Sequence, residues 1–264
     1  MALTKGIPIK GFPLSIAQLR RKVSPGDPIF QIIQHQAIKD RVFFHDDFLV
    51  DTINLDQYAV AGGAGAGRAD FAVNVQQGGV IRATTGTAGD ATTTSSLIGP
   101  TIWSGDLHAW CEWKIKPVTA VTETKIEVGF TDVVPGSTAT VVNSVATPTV
   151  NTAVVDAAVY HYRHASTTTT DQLITIGTSI TAAKTNMTAP TAVAAGTALV
   201  IRIQLVANHA YLWMDGQLLA THNVGGTNYI EGGSAIALWA AVQASNATSK
   251  SLDIDYVVAG QDRG

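Results

Sequence analysis

Acidic side chains are the first residues of this sequence that could carry chemistry. Hydrolysis of a glycosidic bond needs two carboxyl groups flanking the scissile bond, about 5 Å apart when the configuration is retained. The glutamates of the chain are Glu112, Glu123, Glu127 and Glu231. Glu123 and Glu127 are four residues apart and would share one face of a strand, but no Asp lies between them. We therefore expect exposed charges on a sheet here and predict no catalytic residues.

Metal ligands and nucleophiles are equally sparse. His161 and His164 are three residues apart in a strand-like run, so they would lie on opposite faces. Asp253 and Asp255 share a face, which we interpret as the solvent side of the last strand, with a bound cation as the alternative. Cys111 is the single cysteine, which excludes an intrachain disulfide, and we expect it to be a buried small hydrophobe. We predict no metal and no cofactor.

Known catalytic motifs are also missing from the sequence. Neither a Gly-x-Ser-x-Gly nor a His-Glu-x-x-His pattern occurs. The glycine run at residues 62–67 lacks the spacing of a phosphate-binding loop, so we expect a flexible loop. Together with the glutamates, these observations predict that the chain is not an enzyme.

Aromatic side chains could form a platform on which sugar rings stack. Most of the five tryptophans lie in alternating strands, which favours core packing. The tyrosines that we expect to be exposed are Tyr58, Tyr160, Tyr162 and Tyr229.

Charge is distributed unevenly along the 264 residues, whose formal net charge is −3. Residues 1–41 contain seven basic side chains against Asp27 and Asp40, whereas the remainder holds ten Lys/Arg and eighteen Asp/Glu, a net −8. The acidic average argues against nucleic-acid binding. A basic arm on an acidic body is either a device for docking onto an acidic partner or a solvated segment. The basic residues of the arm are Lys5, Lys10, Arg20, Arg21, Lys22, Lys39 and Arg41.

The elements that must position these residues are short strands. The first forty residues contain four of the nine prolines, so residues 1–41 are expected to be an extended arm. From residue 42 to the end, apolar side chains alternate with polar ones between Gly, Asn and Asp turns. Asp215-Gly216 between two apolar runs predicts a hairpin. About a dozen strands and no convincing helix predict an all-β, antiparallel jelly-roll sandwich over residues 42–264.

Several motifs, taken in order, resemble the concanavalin A-like lectin and glucanase superfamily. They are Phe44–Phe48 with Leu55–Tyr58, Val128–Asp132, Asp156–Tyr162, Tyr211–Leu218 and Leu252–Val257. The Thr/Ala-rich loops and the separate arm are similar to those of tailed-bacteriophage virion proteins. Glycosidases of the superfamily carry a Glu-x-Asp-x-x-Glu pattern, which this sequence lacks.

The resemblance implies a capsid decoration, or cement, protein on the virion exterior, assembled in the host cytoplasm. Its partners would be the major capsid protein and further copies of itself in a homotrimer, with the arm as the capsid anchor. The alternative is a lectin-like tail or head-fibre protein that binds host-surface glycans. No stretch approaches the ~20 apolar residues of a membrane span, so we expect no membrane partner.

Overall fold

The computed structural model describes residues 41–49, 52–63, 66–74, 79–87, 94–132, 140–143, 149–165, 169–176, 183–187, 191–206, 209–223 and 234–263. Two compact units are distinguished, Met1–Val42 and Phe43–Gly264. The second unit contains the jelly roll. In the described residues no helix is long and apolar enough to span a membrane.

Fifteen strands and one short 3₁₀ helix make up the described secondary structure. The strands are β1 Arg41–Asp46, β2 Ala59–Gly62, β3 Ala69–Asn74, β4 Val80–Thr84, β5 Thr94–Trp103, β6 Trp110–Pro117, β7 Thr124–Thr131, β8 Ala157–His164, β9 Thr169–Ile176, β10 Ala183–Met187, β11 Leu199–Val206, β12 His209–Met214, β13 Gln217–Asn223, β14 Ile236–Ala244 and β15 Ser251–Asp262; the 3₁₀ helix covers Gly105–Leu107.

The strands form two antiparallel sheets that face each other. Sheet A has the order β13-β12-β11-β6-β15-β4-β3, with β1 also paired to β15. Sheet B has the order β10-β9-β8-β7-β14-β5-β2. The prediction of an all-β, antiparallel jelly-roll sandwich is therefore confirmed.

Sheet A follows the alternation that its sequence predicts. In β6, Cys111, Trp113 and Ile115 are buried in the core, while Trp110 and Glu112 on the other face are half-buried. The same pattern occurs in β11 and β12. The predicted hairpin at Asp215-Gly216 is confirmed, because both residues have positive φ and join β12 to β13. One face of sheet A consequently remains open to solvent.

The centre of sheet B is covered on both faces, which its sequence did not suggest. Every residue of β7 and β14 is buried. One face packs on sheet A, and Val141, Val142 and Val154 join a hydrophobic cluster with Trp239 on the other. Within the described residues of this covering segment, Val142 and Val150 form an antiparallel bridge. The Thr/Ala/Val-rich sequence at residues 136–155 predicts a long loop or a pair of edge strands, but its described residues Val141, Val142 and Val154 form part of the core.

Candidate functional site

An arginine held between two tryptophans marks the solvent face of sheet A. The guanidinium carbon of Arg202 lies 5.0 Å from the ring centroid of Trp110 and 5.6 Å from that of Trp213. The three side chains meet because β11 pairs with β6 on one side and with β12 on the other. Arg202 Nε is buried without a hydrogen-bond partner in the described structure, and contact with the two indoles helps to fix the guanidinium plane.

Further rings extend this arrangement in both directions. Along β12, the ring of Tyr211 lies 5.6 Å from that of Trp213, and His209 stacks on Tyr211 at 5.9 Å. On the other side, Phe43 lies 6.3 Å from Trp110. We call the row Phe43, Trp110, Arg202, Trp213, Tyr211 and His209 the aromatic face.

Two backbone features place the tryptophans. A side-chain carbon on Gly260 would lie 2.9 Å from the indole of Trp110, so the glycine lets that ring rest on the backbone of β15. Beside Trp213 the register between β12 and β13 shifts, leaving Leu219 without a partner. Bulges of this kind change the direction of neighbouring side chains.

A shallow depression of about 290 Å³ opens in the aromatic face. Its lining combines one indole, one guanidinium, one carboxylate and one amide: Glu112, Val200, Arg202, Gln204, Trp213 and Gly216. Glu112 stands directly opposite Arg202 on the neighbouring strand, yet the two form no ion pair among the described contacts. The hydroxyl of Tyr256 donates a 2.9 Å hydrogen bond to Oε1 of Glu112. Burial, followed by the nearby charge of Glu112, raises the pKa of Tyr256, so the hydroxyl stays protonated.

Internal ion pairs occupy another part of the solvent face of sheet A. Asp253 is buried and receives two hydrogen bonds from Arg82, at 2.6 and 2.9 Å, with Lys116 at 3.3 Å. Asp255 pairs with Lys114 at 2.5 Å. The expectation that Asp253 and Asp255 form a plain solvent face is thus wrong for Asp253. No group of three or more ligands able to hold a metal ion occurs in the described residues.

Glu127 forms the centre of a second polar cluster, on the covered face of sheet B. Its carboxylate accepts hydrogen bonds from the backbone N–H groups of Val141 and Val142, at 3.0 and 2.9 Å, and from the indole N–H of Trp239 at 3.2 Å. Lys125 Nζ lies 3.7 Å from the carboxylate and His161 Nδ1 lies 3.4 Å away. All three ionisable side chains are almost completely buried.

The charge state of this cluster follows from its contacts. Burial alone would raise the pKa of Glu127, but Lys125, His161 and the backbone N–H of Val142 lower it to about 2. Burial lowers the pKa of His161 against the opposing influence of Glu127. Glu127 is therefore a buried, ionised carboxylate, and the expectation that Glu123 and Glu127 are exposed charges on one strand face is wrong. Glu123 precedes β7 in a turn with a positive φ of 57°.

The structure differs from the sequence prediction in which aromatic side chains are buried and which face solvent. Tyr58, Tyr160 and Tyr162 are buried, and Tyr229 lies outside the described residues. Among the tryptophans, Trp103, Trp113 and Trp239 are core residues, whereas Trp110 and Trp213 are half-buried on the aromatic face. The alternation of β6 and β12 could have identified these two, since each faces away from a buried neighbour.

Of the basic arm residues, only Arg41 falls within the described part of the chain, at the exposed first position of β1. Lys5, Lys10, Arg20, Arg21, Lys22 and Lys39 lie outside the described residues. Cys111 is buried as expected, and burial raises the pKa of its thiol.

Comparison with known proteins places the fold in a large group of similar structures. The carbohydrate recognition domain of Emp47p superposes with a TM-score of 0.55 at 9% identity, covering 85% of this chain and 98% of that one. The transglycosylase Crh5 in complex with NAG gives 0.54 at 14%, covering 84% of both chains. A β-glucanase of Bacillus licheniformis gives 0.52 at 14%, covering 84% and 98%. The fold is a concanavalin A-like jelly roll. No protein-family profile and no curated protein sequence matches the chain.

The same comparison corrects one prediction. Several of the structural neighbours are glycoside hydrolases or transglycosylases. The prediction that the chain is not an enzyme is therefore wrong, because neither this fold nor the missing motifs exclude enzymatic activity. At 9–14% identity the likeness concerns the fold, and this fold includes enzymes as well as lectins.

Proposed function

We propose that the jelly roll binds glycans through the aromatic face. The observation that carries this proposal is Arg202 fixed between Trp110 and Trp213 beside a small polar depression. Ligand sites combine apolar walls with a few placed polar groups, and aromatic rings supply flat apolar surface against which the C–H face of a sugar packs. The description of one structural neighbour as a carbohydrate recognition domain also supports glycan binding.

Replacement of Trp213 tests the proposal directly. Trp213→Ala removes both a ring of the platform and one wall of the depression, so binding on a glycan array should weaken by about tenfold or more, as for buried aromatic anchors. Leu218→Ala is the matched control, because Leu218 is 49% exposed on β13 and does not line the depression. Equal binding by Trp213→Ala and the unaltered chain would rule out the aromatic face as the site.

A second proposal concerns where the chain works. We propose that it is a bacteriophage virion protein, a decoration protein on the capsid exterior that binds the major capsid protein through residues 1–41 and associates as a homotrimer. The division of the chain at Val42 supports this proposal, because all seven basic side chains of residues 1–41 precede the jelly-roll unit in the sequence, separate from its acidic residues. Binding of host glycans would suit the lectin-like tail or head-fibre alternative equally well.

Deletion of residues 1–41 tests the attachment. The shortened chain should no longer sediment with purified capsids, since the arm supplies the contacts with the shell. A double variant, Lys114→Gln with Lys116→Gln, removes two positive charges from the jelly roll instead and should sediment normally. Attachment of the shortened chain would contradict the anchoring role, and analytical ultracentrifugation of the full chain would establish whether it is a trimer.

A further inference from the structure

We infer that the depression in the aromatic face selects a neutral sugar ring and discriminates against acidic sugars. This inference rests on the proposed glycan binding and adds the class of ligand. It rests on the charges, the hydrogen-bonding groups and the size of the depression.

The charges of the depression cancel. Arg202 and Glu112 are cross-strand partners on β11 and β6, and both line the depression. Directly opposed residues on one sheet face have Cβ atoms only ~4.5–5.5 Å apart. A ligand that contacts one of these groups therefore lies close to the other. An acidic sugar attracted to Arg202 would have its carboxylate repelled by Glu112, whereas a neutral sugar meets no such conflict.

The hydrogen-bonding groups also match hydroxyls better than carboxylates. Arg202 only donates, Glu112 as a carboxylate only accepts, and the amide of Gln204 does both. Tyr256 occupies Oε1 of Glu112, and Oε2 has no hydrogen bond in the described structure. A sugar hydroxyl both donates and accepts, so neighbouring hydroxyls can satisfy Glu112 and Arg202 together. A ligand carboxylate offers no hydrogen to Glu112 and would leave a desolvated oxygen without a partner.

The size of the depression favours one ring at a time, with neighbours along β12. About 290 Å³ lies at the lower end of the ~300–1,000 Å³ typical of ligand pockets. From Trp213 the aromatic face continues to Tyr211 and His209, with ring centroids 5.6 and 5.9 Å apart. Successive sugars of an oligosaccharide would thus lie along this row of rings, while Arg202 and Glu112 select the residue in the depression.

Calorimetric titration with matched neutral and acidic oligosaccharides tests this selection. The neutral probes are tetrasaccharides of glucose in β-1,4, β-1,3 and α-1,4 linkage and an α-1,4 tetrasaccharide of galactose; the acidic probe is tetragalacturonic acid, which differs from the last only in its carboxylates. The full-length protein should bind at least one neutral probe about tenfold or more tightly than the acidic one, a difference expected from one unpaired or repelled charge. Preference for tetragalacturonic acid would overturn the inference and leave glycan binding intact. Failure of all five probes to bind would overturn both.

Three variants identify the residues responsible. Glu112→Gln keeps an oxygen for the Tyr256 hydroxyl but removes the negative charge, so binding of tetragalacturonic acid should strengthen about tenfold. Arg202→Lys keeps the charge but loses the planar group that stacks between the indoles, so neutral binding should weaken about tenfold. Lys114→Gln, on the same strand as Glu112 but outside the depression, should change neither. An unchanged neutral-to-acidic ratio in a folded Glu112→Gln protein would contradict the role given to Glu112.

Discussion

At the scale of single residues, Glu127 shows how a charge can be kept in a sheet interior. Two backbone N–H groups, one indole N–H and the Lys125 ammonium surround its carboxylate. The same contacts hold the segment around Val141 and Val142 against sheet B. Removing one partner of such a buried pair is costly, because the other charge is left without compensation.

Acidification should therefore destabilise the protein in two steps. The pKa of His161 is lowered in the folded state, so the unfolded chain takes up the proton first and stability falls as pH drops below about 6.5. The pKa of Glu127 is lowered to about 2, so its contribution is complete above its ordinary pKa of 4.5 and is lost as pH falls from there to about 2. Urea unfolding at pH 3, 5 and 8 measures both steps.

The variant Glu127→Gln separates the contribution of the carboxylate. It should lower the free energy of unfolding at pH 8 by about 3–5 kcal/mol and flatten the loss between pH 5 and 3. Glu112→Gln on the half-buried aromatic face is the control and should change stability by less than about 1 kcal/mol. A pH profile of Glu127→Gln parallel to that of the unaltered protein would exclude Glu127 as the titrating group.

At the scale of strands, the sequence predicts sheet A well and sheet B poorly. The alternation of β6, β11 and β12 is visible because one face of sheet A meets water. In β7, Lys125 and Glu127 look like exposed positions, but a segment more than ten residues away in sequence covers them. No local pattern contains that information. Strand β5 escaped prediction because both faces of its first six residues are buried, and because Ser95, Ser96 and Gly99 carry small side chains that interrupt any apolar alternation.

Gly129 in β7 provides a test at this scale. Its φ of 148° is one that side-chain-bearing residues rarely adopt, and a Cβ there would lie 2.3 Å from the carbonyl oxygen of Ala158 and 2.7 Å from Ile203. Gly196 also has positive φ, at 80°, but has open space around it. Gly129→Ala should therefore lower the free energy of unfolding by at least about 2 kcal/mol more than Gly196→Ala, since only the former adds a clash to the backbone strain. Equal losses in denaturant titrations would show that the strand has room for a side chain.

At the scale of the whole molecule, the sheets are built mainly from strands distant in sequence. Strand β6 pairs with β11 and β15, and β14 pairs with β5 and β7. Hairpins such as β12–β13 follow from local turn chemistry, whereas these distant pairings do not. The sequence therefore predicted the fold class and the concanavalin A-like part of the resemblance, but no local pattern indicated that Trp110, Arg202 and Trp213 lie together. The aromatic face was missed because its members come from four strands, β1, β6, β11 and β12.

The boundary between the two units at Val42 predicts that the chain still folds when residues 1–41 are deleted. A chain lacking residues 1–41 should unfold in one cooperative transition, because the jelly-roll core lies within Phe43–Gly264. Thermal denaturation followed by circular dichroism measures this transition. A shortened chain without a cooperative transition would show that residues 1–41 are required for folding, and loss of capsid attachment would then need another explanation.

The single thiol of the chain offers a practical use. Cys111 is fully buried in sheet A, and its burial suppresses the reactive thiolate. An aromatic disulfide reagent should reach it only in molecules whose sheet A has opened, so the labelling rate reports the frequency of that opening. Because no second cysteine exists to react or to cross-link, the labelling rate of Cys111 can be compared directly between variants without an engineered label.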